Sequence, residues 1–355
     1  MISDRENYLR TVEFRRPEWI PCSLALSPAN WRRQREGLEE VCLRHPRLFP
    51  GFEKGRVDFD ALPPVYREGE YFRDNWGCLW YNAHAGLEGQ VVEHPLADWR
   101  ALDGYRAPDW RTHTDRGARD WEQIGRSVAE QRRAGQLVRG DGERLFDRLY
   151  FLRGFEALML DFGTDDPHLP RLVDLLRQHE MALVRQWLSL GVDLIGFHTD
   201  IGTQKGLMIS PAQFRRYLKP LFRELFTTCR QAGVHVYLSS DGRLLEIVDD
   251  LIECGVSVHD PQLRANTLEG IERAYKGRLC VNLDLDRQGL PFYTPQQIWD
   301  QVGEVVDRLY LPEGGLMVMG AVYDENIPLA NVEALAAAME ALCLQPRRTA
   351  PGAAT

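Results

Sequence analysis

The chain has 355 residues, of which 44% are hydrophobic, and its formal net charge is -9. This length and composition fit one large globular domain or two ordinary ones. Acidic residues outnumber basic ones and no long basic run occurs, so the charge argues against a nucleic-acid partner and favours a small-molecule substrate. No segment approaches the roughly 20 apolar residues that a membrane-spanning helix needs, and the first residues contain no apolar signal core. We therefore expect a cytoplasmic protein.

The cysteines are scattered along the chain and never form a C-x-x-C pair. Their number, seven, is odd. In a chain of this length both features predict free thiols in a reducing compartment.

The N-terminal segment contains two predicted helices with a strand between them. Residues 4–15 place apolar side chains among charges, and Ser3 or Asp4 is suited to cap this helix. The segment RRPEWIPCSLAL predicts a turn that enters a strand. A second helix is expected from 31 to 48, and Pro50 should prevent it from continuing.

Residues 50–115 are rich in Gly, Pro, Trp and Tyr and contain alternating pieces such as WGCLWYNA and GQVVEHP. Alternation of this kind predicts short strands joined by loops. We expect this segment to elaborate the mouth of the fold.

From residue 116 onward helical and strand patterns alternate. Helices are predicted at 116–134, 144–162, 167–190, 211–232, 243–253, 267–275, 295–309 and 330–343. Strands are predicted in LVRGDG and at 193–198, 234–239, 256–259, 278–283 and 315–320. Repeated strand–helix units imply a parallel sheet, and the lack of a G-x-G-x-x-G turn favours a closed barrel over an open sheet.

The predicted fold is therefore α/β, a (β/α)8 TIM barrel with an elaborated N-terminal region over the barrel mouth. We expect a single domain over residues 1–345 and a flexible tail at 346–355.

Five apolar runs between Gly191 and Asp324 each end in a polar cluster. The runs are GVDLIGFHTD, GVHVYLSSDG, GVSVHDPQ, RLCVNLDLD and GLMVMGAVYDEN. Their polar ends contain His198 and Asp200, Ser239 to Asp241, His259 and Asp260, Asp284 and Asp286, and Tyr323 and Asp324. If each run is a buried strand, these side chains meet at the rim where barrel enzymes hold their active sites.

Strand geometry decides which of these side chains face the cavity. Residues two apart on a strand point the same way, so His198 and Asp200 form a candidate base or ligand pair. His259 and Asp260 are adjacent, so at most one of them points into the cavity. Asp241 fits either a rim role or a helix-capping turn.

Asp284 and Asp286 repeat the two-residue spacing. If the two carboxyl groups approach closely, one pKa rises and a proton donor results. The alternative is a pair of solvated loop aspartates.

These arguments give three sets of candidate residues. The predicted catalytic residues are Asp200, His259, Asp241 and Asp286. The predicted substrate-binding residues are His198, Arg153, Lys205, Trp76, Tyr323 and Gln204; a surface ion pair for Arg153 and a core position for Trp76 remain open. A metal such as Zn, Mn or Fe would take its ligands from His198, Asp200, Asp241 and His259, although the same residues fit a metal-free acid/base site equally well.

Several motifs resemble the uroporphyrinogen decarboxylase family, including its methyltransferase branch. They are FHTDIGTQKGLMISPAQFRRYLKPLFRELF, VYLSSDGRLLEIVDDLIECGVSVHDPQ, DNWGCLW, YFLRGFEALMLDF and LDRQGLPFYTPQQIWDQV. The resemblance covers most of the chain and is strongest from 145 to 335. It implies a TIM barrel with its site in the mouth and a homodimer.

Two departures from the family bear on the reaction. Decarboxylases of the family carry an arginine-rich RQAGRYLPE segment, whereas this chain reads SLALSPANWRRQREGLEE. Thiol methyltransferases of the family bind zinc through a His-x-Cys pair and a distant Cys. Here the matching residues are Ser239, Ser240, Asp241 and Gly242, and the late MGAVYDEN segment has no cysteine.

The leading functional hypothesis is methyl transfer between a small organic substrate and a corrinoid protein or similar acceptor. Its candidate groups are Asp200, His259 and Asp241. The alternatives are a cofactor-free decarboxylase of uroporphyrinogen-like or aromatic carboxylates and a non-catalytic ligand-binding barrel.

Overall fold

A computed structural model describes residues 2–346 of the chain. The helices are α1 Asp4–Val12, α2 Pro28–Gln34, α3 Glu36–Arg44, α4 Trp121–Arg133, α5 Phe146–Arg153, α6 Phe155–Thr164, α7 Leu169–Leu190, α8 Pro211–Gln213, α9 Lys219–Gln231, α10 Val248–Cys254, α11 Leu263–Asn266, α12 Leu268–Tyr275, α13 Pro295–Leu309 and α14 Leu329–Leu342. The strands are β1 Cys22–Leu26, β2 Tyr71–Arg73, β3 Leu79–Tyr81, β4 Gln90–Glu93, β5 Arg139–Arg144, β6 Leu194–His198, β7 His235–Ser239, β8 Val258–His259, β9 Cys280–Asp284 and β10 Leu316–Val322.

The chain divides into two compact units. Within the described residues, the terminal unit contains those up to Ala61 and those from Gln262 onward, and the central unit contains Leu62–Pro261. In the terminal unit β10 lies between β1 and β9 and runs parallel to both. The helices that follow these strands carry buried apolar residues such as Val302 and Leu335, as expected for a strand–helix repeat.

The central unit contains four parallel strands, in the order β5, β6, β7 and β8. Leu194 to Phe197 of β6 are buried, and the Phe197 ring lies 5.0 Å from that of Phe226 on α9. Because side chains alternate along a strand, His198 projects from the face opposite to Phe197. The same unit contains the small antiparallel sheet β2–β3–β4.

This architecture confirms the predicted α/β class and its parallel strands. Within residues 2–346 no helix is both long and apolar enough to span a membrane. All seven cysteines are free thiols, as the sequence predicted. The alternating pieces near residues 80 and 91 form β3 and β4. The predicted tail lies outside the described residues, apart from Pro346.

Three predicted helices are interrupted. The helix expected over 31–48 divides at Arg35, whose φ of 48° separates α2 from α3. The helix expected over 144–162 divides at Gly154, whose φ of 91° no right-handed helix accepts. The helix expected over 211–232 contains a π-helical turn at Phe214–Leu218 before α9 begins. A pattern of apolar residues reports which face is buried and does not detect such local changes of backbone.

Candidate active site

Hydrogen bonds link three aspartates of the central unit beyond the ends of β6 and β7. The backbone N–H of Asp241 donates a hydrogen bond to Asp200 Oδ1 at 3.0 Å. The backbone N–H of Asp200 donates to Asp147 Oδ2, also at 3.0 Å. The structure therefore brings the predicted Asp200 and Asp241 together and adds Asp147 from α5. We call Asp147, Asp200 and Asp241 the carboxylate cluster.

The environment of Asp200 favours its protonated form. Burial raises its pKa to about 7, and the nearby charges of Asp147 and then Asp241 add to this effect. The Asp241 N–H and the Arg144 cation act in the opposite direction. A carboxyl group with this pKa is both protonated and able to release its proton near neutral pH, as a general acid requires.

Asp147 is the member of the cluster that sequence reasoning missed. Its side chain is 1% exposed, and it accepts a second hydrogen bond from the Tyr150 hydroxyl at 2.7 Å. Burial, followed by the Asp147 charge, raises the pKa of Tyr150, which keeps this hydroxyl protonated. The available signal was an acidic residue on the otherwise apolar face of a predicted helix.

An arginine pair borders the cluster. Arg144 donates from Nη2 to both oxygens of Glu88, at 2.8 and 3.0 Å, and Arg116 also bonds to Glu88. Burial disfavours the charged form of Glu88, but the two cations outweigh this and lower its pKa. Glu88 therefore remains ionised and holds Arg144 near the cluster.

Backbone hydrogen bonds join the loops that follow β6 and β7. The Thr199 N–H donates to Ser239 O at 2.9 Å, and the Arg243 N–H donates to Thr203 O at 2.8 Å. A Cβ atom at Gly242 would lie 2.2 Å from the carbonyl carbon of Gly202. Only glycine allows this approach, which sets the spacing between Asp200 and Asp241.

His198 ends β6 at the same edge of the sheet. In the sheet, His198 pairs in register with Arg144 of β5 and with Ser239 of β7. Its surface is open to solvent, yet the surrounding protein desolvates the ring enough to lower its pKa, and Arg144 adds to this. The ring is therefore neutral near pH 7 and available as a hydrogen-bonding group.

Of the adjacent residues His259 and Asp260, it is Asp260 that faces the polar side of the sheet. Its carboxylate accepts hydrogen bonds from Tyr237 Oη at 3.2 Å, Ser239 Oγ at 2.7 Å and the Ser240 N–H at 3.0 Å. The His259 side chain consequently lies on the opposite face. It is 0% exposed, and burial lowers its pKa to about 3. The structure does not bring His259 to the carboxylate cluster.

Trp76 belongs to a buried charged network in the same unit. It is 1% exposed, and the Arg148 guanidinium lies 4.7 Å from its ring centre. Arg148 in turn bonds to Asp74 at 3.1 Å and to Glu143 at 3.3 Å. Trp76 is thus a core residue in this structure, which is one of the two alternatives that its sequence position left open.

Glu180 of α7 completes this network. Its Oε2 accepts the Glu143 N–H at 3.1 Å. Burial, followed by the Glu143 charge, raises the pKa of Glu180 to about 8. This glutamic acid is therefore largely neutral at pH 7, and the buried network carries less negative charge than its residue types suggest.

The remaining predicted residues are spread over both units. Arg153 forms an ion pair with Asp161 at 2.7 Å, but the pair is largely buried and does not lie at the surface as the sequence alternative had it. Gln204 and Lys205 are exposed in the loop after Asp200. In the terminal unit, Asp286 accepts a hydrogen bond from Tyr293 Oη at 2.6 Å. Tyr323 is 42% exposed there.

The predicted metal ligands do not form a metal site in this arrangement. Among residues 2–346, no group of three or more His, Cys, Asp or Glu side chains is placed to hold a metal ion. His259 also points away from Asp260 and its hydrogen-bond donors. The described geometry therefore supports proton transfer more directly than metal coordination.

The chain is similar in fold to a methyltransferase from Methanosarcina mazei. The TM-score is 0.63 at 16% sequence identity, with 95% of this chain and 98% of that chain covered. At this identity the similarity shows the fold alone. No family model and no curated protein matches the chain.

Two further similarities have lower TM-scores. A xylose isomerase domain protein from Planctomyces limnophilus has a TM-score of 0.37 at 16% identity, with 73% of this chain and 94% of that chain covered. D-psicose 3-epimerase from Clostridium cellulolyticum H10 has a TM-score of 0.38 at 15% identity, with 62% and 83% covered. These scores are too low to support a functional inference.

Proposed function

We propose that the protein is a methyltransferase that moves a methyl group from a small organic substrate to a corrinoid protein or a similar acceptor. The observation that carries the proposal is the carboxylate cluster, in which Asp200 has a pKa of about 7. The fold similarity to a methyltransferase supports the same reaction class. The motif resemblance to the uroporphyrinogen decarboxylase superfamily places the protein, in this proposal, in a divergent branch of that superfamily.

In the proposed reaction Asp200 acts as the general acid. Loss of a methyl group from an ether or amine leaves negative charge on the oxygen, or a lone pair on the nitrogen, and a proton from Asp200 Oδ2 stabilises that leaving group. The acceptor, when bound, supplies the nucleophile that takes the methyl group. The nearby charge of Asp147 raises the proton affinity of Asp200.

The exposed groups around the cluster bind the substrate in this proposal. Asp241 and His198 are both open to solvent at the same edge of the sheet, and Gln204 and Lys205 extend from the following loop. Ser239 and Asp241 stand where family thiol methyltransferases carry zinc ligands, so the chemistry here uses oxygen and imidazole groups. No step is assigned to a metal, because the donors do not converge.

Closure of the parallel strands into a (β/α)8 barrel over residues 1–345, with residues 50–115 over its mouth, is part of the same proposal. The strand–helix repeats within each unit support it. A homodimer and a cytoplasmic location also remain proposals, which rest on the resemblance and on composition.

The test is methyl transfer by the purified full-length protein. It is incubated with a reduced corrinoid carrier and a panel of methoxylated and methylamine-type substrates while the methylcobalamin spectrum is followed. We expect methylcobalamin to appear with at least one substrate. Asp200→Asn should slow this transfer by roughly 10²–10⁴-fold, whereas the control Asp249→Asn, at an exposed position of α10, should not.

Two results would contradict the proposal. Release of carbon dioxide from uroporphyrinogen or an aromatic acid, lost in Asp200→Asn and without any methyl transfer, would establish the decarboxylase alternative. Tight ligand binding that survives joint substitution of His198, Asp200, Asp241 and His259, again without turnover, would establish a non-catalytic barrel.

A further inference from the structure

Two cysteines from opposite ends of the sequence meet in the terminal unit. Cys22 is the first residue of β1, and Cys343 directly follows α14. The Ile20 N–H donates to Cys343 O at 3.0 Å, which fixes the backbone of the two segments side by side. The Cys22 Sγ lies 3.9 Å from Met339 O, the same oxygen that accepts the Cys343 N–H at 2.9 Å.

The Cys22 thiol and the Cys343 backbone N–H therefore meet at one backbone oxygen, that of Met339. The influence of Cys343 on the Cys22 pKa agrees with this proximity. Two cysteines on adjacent, fixed backbone segments are the arrangement that an S–S bond requires.

We propose that Cys22 and Cys343 are a site of oxidative modification, at which a peroxide-class oxidant forms an intramolecular disulfide. The Cys22 sulfur attacks the peroxide O–O bond, which gives a sulfenic acid and water. The Cys343 sulfur then attacks the sulfenic sulfur; the S–S bond forms, the S–O bond breaks, and the departing hydroxide takes the Cys343 proton as water. The thiols lose two electrons in total, and the peroxide gains them.

The two residues have different accessibility, which sets their order in this reaction. Cys22 is partly exposed, whereas Cys343 is 0% exposed. The oxidant therefore reaches Cys22 first, and Cys343 acts as the resolving thiol. Contact with Cys343 and burial raise the pKa of Cys22, so the reaction should accelerate as the pH rises and more thiolate forms.

The crosslink would join the first strand to the last helix. The closed loop contains nearly the entire chain, and a disulfide that closes a long loop restricts the unfolded state strongly. We expect the oxidised protein to unfold at a higher temperature than the reduced protein.

The test uses the full-length protein treated with hydrogen peroxide, alkylated and digested without reductant. We expect the titratable thiols to fall from seven by two, and mass spectrometry to find one peptide that joins Cys22 to Cys343. The crosslinked peptide and the rise in Tm should both be reversed by dithiothreitol.

Variants separate this pair from the other thiols. Cys22→Ala and Cys343→Ala should each abolish the crosslink and the Tm increase, while Cys42→Ala, a buried cysteine of the same unit, should retain both. A disulfide between other cysteines, or stable sulfinic acid at Cys22 with Cys343 still reduced, would overturn the proposal. Mapping of the unmodified chain decides the question even if a variant fails to fold.

Discussion

Asp147 controls the proton affinity of Asp200. It has almost no exposed surface, and after burial its charge is the largest influence that raises the Asp200 pKa. The Tyr150 hydroxyl donates a hydrogen bond to its other oxygen. A buried, hydrogen-bonded anion beside a second carboxyl group is a general way to obtain an acid that works near neutral pH.

Asp147→Asn should lower the apparent pKa of the acidic group in the pH–rate profile. Without the neighbouring charge, the Asp200 pKa falls toward its ordinary value, and less protonated acid remains at high pH. Each unit of pKa decrease lowers activity at pH 8 by roughly tenfold. The kcat/KM profile of the methyl-transfer assay measures this shift. Tyr150→Phe retains the Asp147 charge and serves as the control; an unchanged profile in Asp147→Asn would contradict the assignment.

Asp200→Asn should remove a pH-dependent loss of stability. Because the folded-state pKa of about 7 exceeds the ordinary value of 3.8, the wild-type protein loses stability as the pH rises between these values and retains the full penalty above pH 7. One pKa unit corresponds to about 1.4 kcal/mol, and solvent at this half-buried group reduces the effect. We expect the variant to gain about 2 kcal/mol relative to wild type between pH 4 and pH 8.

Urea unfolding of both proteins across this pH range measures the effect. The comparison uses the difference between variant and wild type, so the titration of groups that do not interact with Asp200 cancels. A difference that does not change with pH would show that Asp200 has an ordinary pKa in the folded protein.

At the scale of single residues, the sequence predicted which residues lie at the strand ends better than it predicted where their side chains point. The polar strand ends identified Asp200 and Asp241 because the carboxyl ends of parallel strands meet at one edge. The sequence indicated that at most one of His259 and Asp260 faces the cavity, but it did not show that this residue is Asp260. That selection depends on Tyr237 and Ser239, whose hydrogen bonds become visible only after the strands are paired.

The two loops after β6 and β7 act as one element. Gly242 has a φ of 88° and lies against the backbone of Gly202. Any Cβ atom at this position must separate the loops, and with them Asp200 from the Asp241 N–H. The geometry of the carboxylate cluster therefore depends on a residue that has no functional group.

Gly242→Ala should be destabilising by about 3 kcal/mol. Left-handed backbone strain accounts for roughly 1–2 kcal/mol, and the clash with Gly202 adds a similar amount. Gly233→Ala is the matched control, because Gly233 has a φ of 77° with no atom within 4 Å of the added Cβ. Thermal unfolding should show the larger loss for Gly242→Ala, which should also lose methyl transfer; equal losses would refute the role of this contact.

Element types were predictable because the hydrophobic periods are regular. The helix α13, for example, occupies the predicted residues 295–309. The breaks at Gly154 and Phe214–Leu218 were missed because neither changes the period enough to be seen. Asp147 was missed because its hydrogen bond with the Asp200 N–H is a long-range contact that no local pattern specifies.

At the scale of the whole molecule, the repeated strand–helix units made the α/β class predictable. Strands β3 and β4 were predictable from their alternating residues, but their antiparallel pairing with each other and with β2 was not. The Glu88–Arg144 bond illustrates the reason: it joins a segment beyond β3 to the end of β5, and no local pattern specifies such a long-range pairing.

The distribution of ligand-type side chains over the chain leads to a prediction about metal content. All seven cysteines are free and mostly buried, and no group of three His, Cys, Asp or Glu side chains within residues 2–346 is arranged around a common point. Zinc binds nitrogen and oxygen ligands at about 2.0–2.2 Å, so scattered donors cannot share one ion. We expect the purified protein to contain much less than one equivalent of Zn, Mn or Fe.

Treatment with EDTA should accordingly leave both Tm and methyl transfer unchanged, since neither folding nor proton donation by Asp200 would depend on an ion. Elemental analysis of the protein before and after chelation checks the content directly, with the dialysis buffer as the blank. A stoichiometric metal that is lost in both His198→Ala and Asp241→Asn would contradict this prediction, because it would mean that the rim rearranges into a coordination site. The acid role of Asp200 would then have to be re-examined as a ligand role.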